Sequence, residues 1–71
     1  MQNVKKEIGL KIRMFRERRG LTQDGLGAIA DMHRAYIGHI ERGEKNITID
    51  NLQRIAKALR VGIKDLMPFG D

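Results

Sequence analysis

The chain has 71 residues, of which 14 are Lys or Arg, 9 are Asp or Glu and none is Cys. Domains commonly hold about 100–150 residues, so residues 1–71 are expected to form a single domain. The lack of cysteine excludes disulfides, cysteine-ligated zinc and a thiol nucleophile. No apolar run is long enough for a membrane span, and none follows Met1 as in a secretory signal, so we expect a cytoplasmic protein.

The formal net charge of +5 is unevenly distributed along the chain. A basic excess suggests a polyanionic partner, most often nucleic acid. Residues 1–20 hold seven basic and two acidic residues, whereas residues 21–50 hold three basic and five acidic residues. Because the middle of the chain is net acidic, charge alone leaves nucleic-acid binding and a merely solvated surface equally open.

The first predicted helix rests on an apolar stripe whose members fall within about 80° of arc on a helix. The stripe consists of Val4, Ile8, Ile12 and Phe15. Gly20 is expected to end the helix in the left-handed conformation. Leu10 and Met14 form a separate apolar stripe, which is either stray surface or a contact surface.

Two short helices are predicted next. Thr22 is a typical N-cap for the second helix, whose apolar side is formed by Leu26, Ile29 and Ala30. The third helix runs from about residue 34 to 42 and ends at Gly43. Its buried side is marked by Ile37 and Ile40.

The remaining pattern predicts a fourth helix and a short fifth one. Thr48 is the expected N-cap of the fourth helix, and its apolar stripe consists of Ile49, Leu52, Ile55, Ala56 and Leu59. A last helix is expected over residues 63–67, ending before Pro68. The chain is therefore predicted to be all-α, with five helices and no strand.

Two short helices joined by a three- or four-residue turn form a helix-turn-helix, here expected at about residues 22–42. The chain contains Leu21-Thr22-Gln23, then Leu26, Ile37, the run Ile40 to Glu44, Leu52, the run Ile55 to Leu59, and Val61. This order resembles the Cro/C1-type helix-turn-helix (XRE) family, which includes lambdoid phage repressors. The segments 34–37 and 40–46 are most similar to restriction–modification controller proteins.

The resemblance implies a compact lambda-repressor-like domain that binds, as a homodimer, a partly palindromic operator in double-stranded DNA. Family positions at base edges match Arg34, Ala35 and His39, and those at phosphates match Gln23 and Arg42. We also expect a phosphate contact from Asn46. Phage-type repressors, and antitoxin-type regulators that act partly through protein contacts, are the alternatives.

Helical geometry places one face of the third helix outward, away from Ile37 and Ile40. That face consists of Arg34, Ala35, Gly38 and His39. The planar fork of Arg can bond guanine, and Gly38 leaves room for DNA to approach. Tyr36 lies on the flank, where core packing and a phosphate hydrogen bond are equally open. For His33, a capping role is favoured over DNA contact.

Two further sets of residues are expected to have structural roles. In the resembling repressors, the positions of Arg16 and Glu41 are usually paired, the alternative being two unrelated surface charges. A short terminal helix buries only one face on its own core, so we expect a two-fold dimer contact through the C-terminal part. This interface would comprise Ile63, Leu66, Met67 and Phe69.

An enzyme is not expected from this composition. The chain has neither Ser nor Cys to serve as a nucleophile. His33 and His39 point about 240° apart on a helix, so they are not a metal pair. We therefore expect no cofactor, no metal and no small-molecule ligand.

Overall fold

Residues 3–68 are described by the structure, a computed structural model, and they contain four α-helices and one 3-10 turn. The elements are α1 (Val4–Arg18), α2 (Gln23–Ala30), α3 (Arg34–Glu41), α4 (Ile49–Leu59) and the 3-10 turn (Ile63–Leu66). The all-α class is confirmed. Within this range, no helix has both the length and the apolar character that a bilayer crossing requires.

The predicted fifth helix is present only as a short 3-10 turn, so four α-helices and this turn replace the five helices expected. Met67 follows the turn with extended backbone angles of φ −86° and ψ 141°. A residue that precedes proline is disfavoured in the α region, so Pro68 stops the helix one residue earlier than expected. Asp65 closes the turn, since its carboxylate accepts the Gly62 N–H at 2.9 Å.

Every α-helix begins at a side chain that accepts a first-turn N–H. The capping residues are Asn3, Thr22, His33 and Thr48. His33 therefore has the capping role, with its Nδ1 accepting the Ala35 N–H at 3.0 Å. Helix α2 ends at Asp31 and α4 at Arg60, both in the left-handed region with φ of 59° and 60°.

The core is formed by one apolar face of each element. Its fully buried members are Ile12, Leu26, Ile37, Ile40, Leu52, Ile55, Leu59 and Leu66. Three residues predicted on apolar stripes are instead exposed: Val4 by 39%, Ile29 by 56% and Ile49 by 64%. Val4 and Ile49 are the first residues of their helices, so they lie at the ends of the stripes.

Ile29 is exposed because α2 buries the side that carries Gly27 and Ala30. An added Cβ at Gly27 would overlap the Met32 carbonyl oxygen, so α2 packs directly against the backbone of the following turn. Gly27 and Ala30 lie on one side of Leu26 around the helix, and Ile29 lies on the other. The close approach at Gly27 is therefore to this turn.

Gly9 brings α1 against the end of α3. An added Cβ at Gly9 would lie 2.5 Å from the Glu41 carbonyl oxygen and would also overlap that of Ile40. Both neighbours are backbone atoms, which cannot rotate away as a side chain would. Helices α1 and α3 can therefore lie this close together only because residue 9 is glycine.

We expect Gly9→Ala to destabilise the domain by about 1–3 kcal/mol, since overpacking against backbone outweighs the gain of about 1 kcal/mol in helix propensity. Urea unfolding followed by circular dichroism measures the change. Gly25→Ala is the matched control, because its Cβ would approach only side-chain atoms of Leu21 and Thr22. Equal stability of the two variants would contradict the close packing of α1 on α3.

Candidate nucleic-acid interface

Helices α2 and α3 are joined by a tight turn over residues 31–33. The left-handed Asp31 reverses the chain, and the Met32 N–H donates to the Gly27 carbonyl at 2.8 Å. Ile37 and Ile40 then bury one side of α3. Because this backbone bond holds the turn and the two isoleucines hold α3 in the core, α3 has a fixed orientation relative to α2.

The outward side of α3 contains most of the residues predicted there. Arg34 and Ala35 are exposed in its first turn, and His39 is half-buried. Gly38 differs from the prediction, because it is buried beneath two side chains. An added Cβ would lie 3.1 Å from Arg42 Nη1 and 3.3 Å from Gln23 Oε1. Gly38 thus makes room for these two side chains and is not itself presented on the surface.

A buried carboxylate connects α1, α2 and α3. Glu41 Oε2 accepts from Arg16 Nε at 2.6 Å, and its Oε1 accepts from Arg16 Nη2 and from Gln23 Nε2, both at 3.1 Å. The side chains of Arg16 and Glu41 are only 10% and 2% exposed. The two residues that the sequence pairs therefore meet, and Gln23 joins them.

This arrangement fixes the start of α2 as well as α3. Arg16 Nη1 also donates to the Leu21 carbonyl at 2.8 Å, just before the N-cap of α2. The hydrogen bond with Glu41 raises the pKa of the Arg16 guanidinium, which therefore stays protonated. The second amide hydrogen of Gln23 is still a donor for another group, because a Gln amide carries two.

A second ionic cluster lies at the C-terminal end of α3. Glu44 Oε1 lies 2.7 Å from His39 Nδ1, and Glu44 Oε2 accepts from Arg42 Nε at 2.9 Å. The hydrogen bond from Arg42, with a second from His39, lowers the pKa of the Glu44 carboxyl to about 2. Glu44 is therefore ionised at neutral pH and holds both side chains.

Glu44 was not identified from the sequence, although Gly43 provides a signal for it. Gly43 has a φ of 73° and turns the chain back on α3. The Glu44 N–H then donates to the His39 carbonyl at 2.9 Å. An acidic residue that directly follows a helix-ending glycine thus comes beside the last turn of that helix.

The basic N-terminus lies next to the same end of α3. An added Cβ at Gly43 would lie 2.9 Å from Lys6 Cα. In addition, the acidic side chain of Glu41 pairs with Arg16, which lies outside residues 21–50. The net acidic sequence of this region therefore overstates the negative charge of its surface.

Of the two roles predicted for Tyr36, core packing is observed and the phosphate hydrogen bond stays a prediction. It is half-buried against the core, and its hydroxyl oxygen accepts from Asn51 Nδ2 at 3.1 Å. The hydroxyl hydrogen is still a donor for a further acceptor. Asn46 is exposed in the loop between α3 and α4.

The predicted dimer residues have different environments. Leu66 is fully buried in the core of its own chain, so it offers no surface to a second copy. Ile63 and Met67 are only partly buried, and Phe69 lies outside the described residues. Within residues 3–68, no group of three or more His, Asp or Glu side chains is arranged to hold a metal ion.

Comparison with known proteins agrees with this geometry. Residues 12–66 match the model of a family described as helix-turn-helix. The chain is 41% identical over 68 residues to control protein C.BamHI of Bacillus amyloliquefaciens, covering 94% of this chain and 84% of that one. It is 35% identical over 65 residues to control protein C.SmaI of Serratia marcescens, covering 92% and 77%.

A solved structure has the same fold. The restriction-modification controller protein C.AhdI from Aeromonas hydrophila matches with a TM-score of 0.85 and 31% sequence identity. The match covers 87% of this chain and 90% of that chain. The residues matched by the family model include the whole of α2 and α3.

Proposed function

This chain belongs to the Cro/C1-type helix-turn-helix (XRE) family, and we propose that it is a cytoplasmic transcriptional regulator of the restriction–modification controller type. In this proposal it binds a partly palindromic operator in double-stranded DNA as a homodimer and is not an enzyme. The observation that carries the proposal is the exposed first turn of α3, with Arg34 beside Ala35, on a helix fixed by the buried Glu41 network.

The proposed contacts follow from the chemistry of the groups. Arg34 can donate two parallel hydrogen bonds to guanine, and the Ala35 methyl suits the methyl group of thymine. His39 faces the groove further along α3. Gln23, Tyr36, Arg42 and Asn46 are proposed to bond phosphates, which position the protein without reading sequence.

The proposal is tested by selecting bound duplexes from a random-sequence pool. We expect enrichment of one partly palindromic motif, with half-sites about 34 Å apart along the DNA. Such spacing requires two recognition helices related by two-fold symmetry. Recovery of unenriched DNA by a folded, soluble protein would show that the chain does not read sequence.

A dimer is proposed to form around Ile63 and Met67. We expect the wild type to sediment at twice 8.1 kDa at tens of micromolar, and Ile63→Lys to shift it to monomer, because a buried charge opposes association. Leu10→Lys is the control, since Leu10 is 62% exposed on α1. If Leu10→Lys dissociated the dimer and Ile63→Lys did not, the interface would be the stripe of Leu10 and Met14.

A further inference from the structure

We propose that Glu44 increases the sequence discrimination of this chain by setting which hydrogen-bonding group His39 presents to DNA. Glu44 itself lies in the loop after α3 and acts as a positioning residue. The inference rests on the proposed function, because it concerns the DNA contacts assigned to His39 and Arg42.

Glu44 and His39 share one hydrogen, which the imidazole ring carries. The separation of 2.7 Å between Glu44 Oε1 and His39 Nδ1 is that of a hydrogen bond. An ionised carboxylate can only accept, so the hydrogen must be on Nδ1. A neutral His39 ring then has a bare Nε2, which is an acceptor.

Removing Glu44 would leave His39 Nδ1 beside Arg42. Arg42 Nη2 lies 3.3 Å from the same His39 Nδ1. Arginine only donates, so a nitrogen that already carries hydrogen cannot accept from it. When Glu44 is removed, Nδ1 is free to accept from Arg42, and the ring hydrogen moves to Nε2. The carboxylate therefore selects between two tautomers with opposite functions at Nε2.

The tautomer determines what His39 can bind on DNA. A bare Nε2 accepts from the amino groups of adenine or cytosine in the major groove. A hydrogen on Nε2 would instead be donated to guanine, to thymine O4 or to any phosphate oxygen. The Glu44 bond thus keeps the neutral His39 ring from acting as a general phosphate donor.

Glu44 also opposes sequence-independent binding through its charge. Its side chain is 49% exposed, and its Oε2 accepts the hydrogen bond that Arg42 Nε could otherwise donate to a phosphate. A carboxylate at this position repels DNA phosphates and competes with them for Arg42. Removing it frees one cation to neutralise a phosphate, which would steepen the salt dependence of binding by about 0.9 in log–log slope.

The tautomer is tested on the free protein by nitrogen-15 NMR of the histidine rings, at a pH where the rings are neutral. We expect Nδ1–H for His39 in the wild type and Nε2–H in Glu44→Ala. The matched control is Glu17→Ala, because Glu17 is also half-exposed and pairs with Arg13 at 3.1 Å on α1, outside the helix-turn-helix. An unchanged Nδ1–H in Glu44→Ala would overturn the proposal.

The effect on discrimination is tested with a duplex selected by the wild type and a shuffled duplex of the same composition. In Glu44→Ala, we expect affinity for the shuffled duplex to rise about 3- to 10-fold without a matching gain for the selected one. Glu17→Ala should leave the ratio of the two affinities unchanged. An equal rise for both duplexes in Glu44→Ala would mean that Glu44 contributes charge alone.

The two proposals can fail separately. If the wild type does not prefer its selected duplex, the proposed function is wrong, whatever the NMR experiment shows. If the wild type discriminates and Glu44→Ala discriminates equally well, only the role of Glu44 is wrong. Folding of the variant is checked by circular dichroism, and it is expected because the Glu44 N–H to His39 carbonyl bond uses backbone atoms alone.

Discussion

Glu41→Ala is expected to destabilise the fold by about 3–5 kcal/mol, because it leaves a buried arginine without its partner. The Arg16 side chain is only 10% exposed and has both of its Glu41 bonds at 3.1 Å or less. Gln23 loses its bond to Glu41 as well. The loss is a large part of the 5–15 kcal/mol or so that usually stabilises a domain. Urea unfolding midpoints measure it, and Glu17→Ala is the exposed control. Glu17 pairs with Arg13 at 3.1 Å and approaches Arg16 Nη2 only to 4.0 Å, so we expect its loss to change stability by less than about 1 kcal/mol.

Because Arg16 and Glu41 form one ion pair, we expect the stability losses of Arg16→Ala and Glu41→Ala not to be additive. Each single change leaves one buried charge unpaired, whereas the double change removes both charges. We therefore expect the double variant to be more stable than the sum of the single losses by about 1–3 kcal/mol. If a single variant is too unstable to measure, Glu41→Gln retains hydrogen-bonding capacity and gives a smaller step. Coupling near zero would mean that the two side chains stabilise the fold independently.

The helix positions were predictable because local signals determine them. Thr22 and Thr48 cap α2 and α4 through their own side chains, and Gly20 and Gly43 have the positive φ expected at helix ends. Such signals act over three or four residues and can be read directly. The fifth element ends before Met67 for a reason that is also local, namely the restriction that Pro68 places on the residue before it.

Which side of a helix is buried was less predictable. Ile29 belongs to a regular apolar pattern, yet it is 56% exposed because Gly27 packs on the backbone of the turn. The periodicity counts apolar side chains, whereas the packing here depends on the absence of a side chain. Gly27, inside a short helix, was a sign of close packing in the sequence. Which side of α2 it would bury could be known only from the position of the Met32 backbone.

For the candidate interface too, some features could be predicted from the sequence and others could not. Ile37 and Ile40 determine the rotation of α3, so the outward direction of Arg34 and Ala35 followed from spacing alone. The burial of Gly38 did not follow, since it depends on Gln23 from α2 and on Arg42 meeting above it. Contacts between side chains of different elements depend on the tertiary packing, which a single sequence does not specify residue by residue.

Arg34→Ala is expected to weaken binding to the selected duplex about 5- to 150-fold, while binding to a shuffled duplex falls only a few-fold. A bidentate contact from arginine to guanine contributes about 1–3 kcal/mol of discrimination, and the residues at the N-terminus of a recognition helix contact base edges. Arg34 is exposed in the first turn of α3, so the substitution should leave the fold intact.

Two comparison variants show whether Arg34 reads sequence. Gln23→Ala should weaken both duplexes by similar factors, because its amide is proposed to bond a phosphate, and it should also lower stability through the lost Glu41 bond at 3.1 Å. Arg13→Ala removes the same charge from α1 and should affect neither duplex strongly. All titrations are made at one fixed salt concentration, since phosphate contacts depend on salt. If Arg34→Ala weakened both duplexes equally, Arg34 would be a phosphate contact, and a different side chain of α3 would carry the specificity.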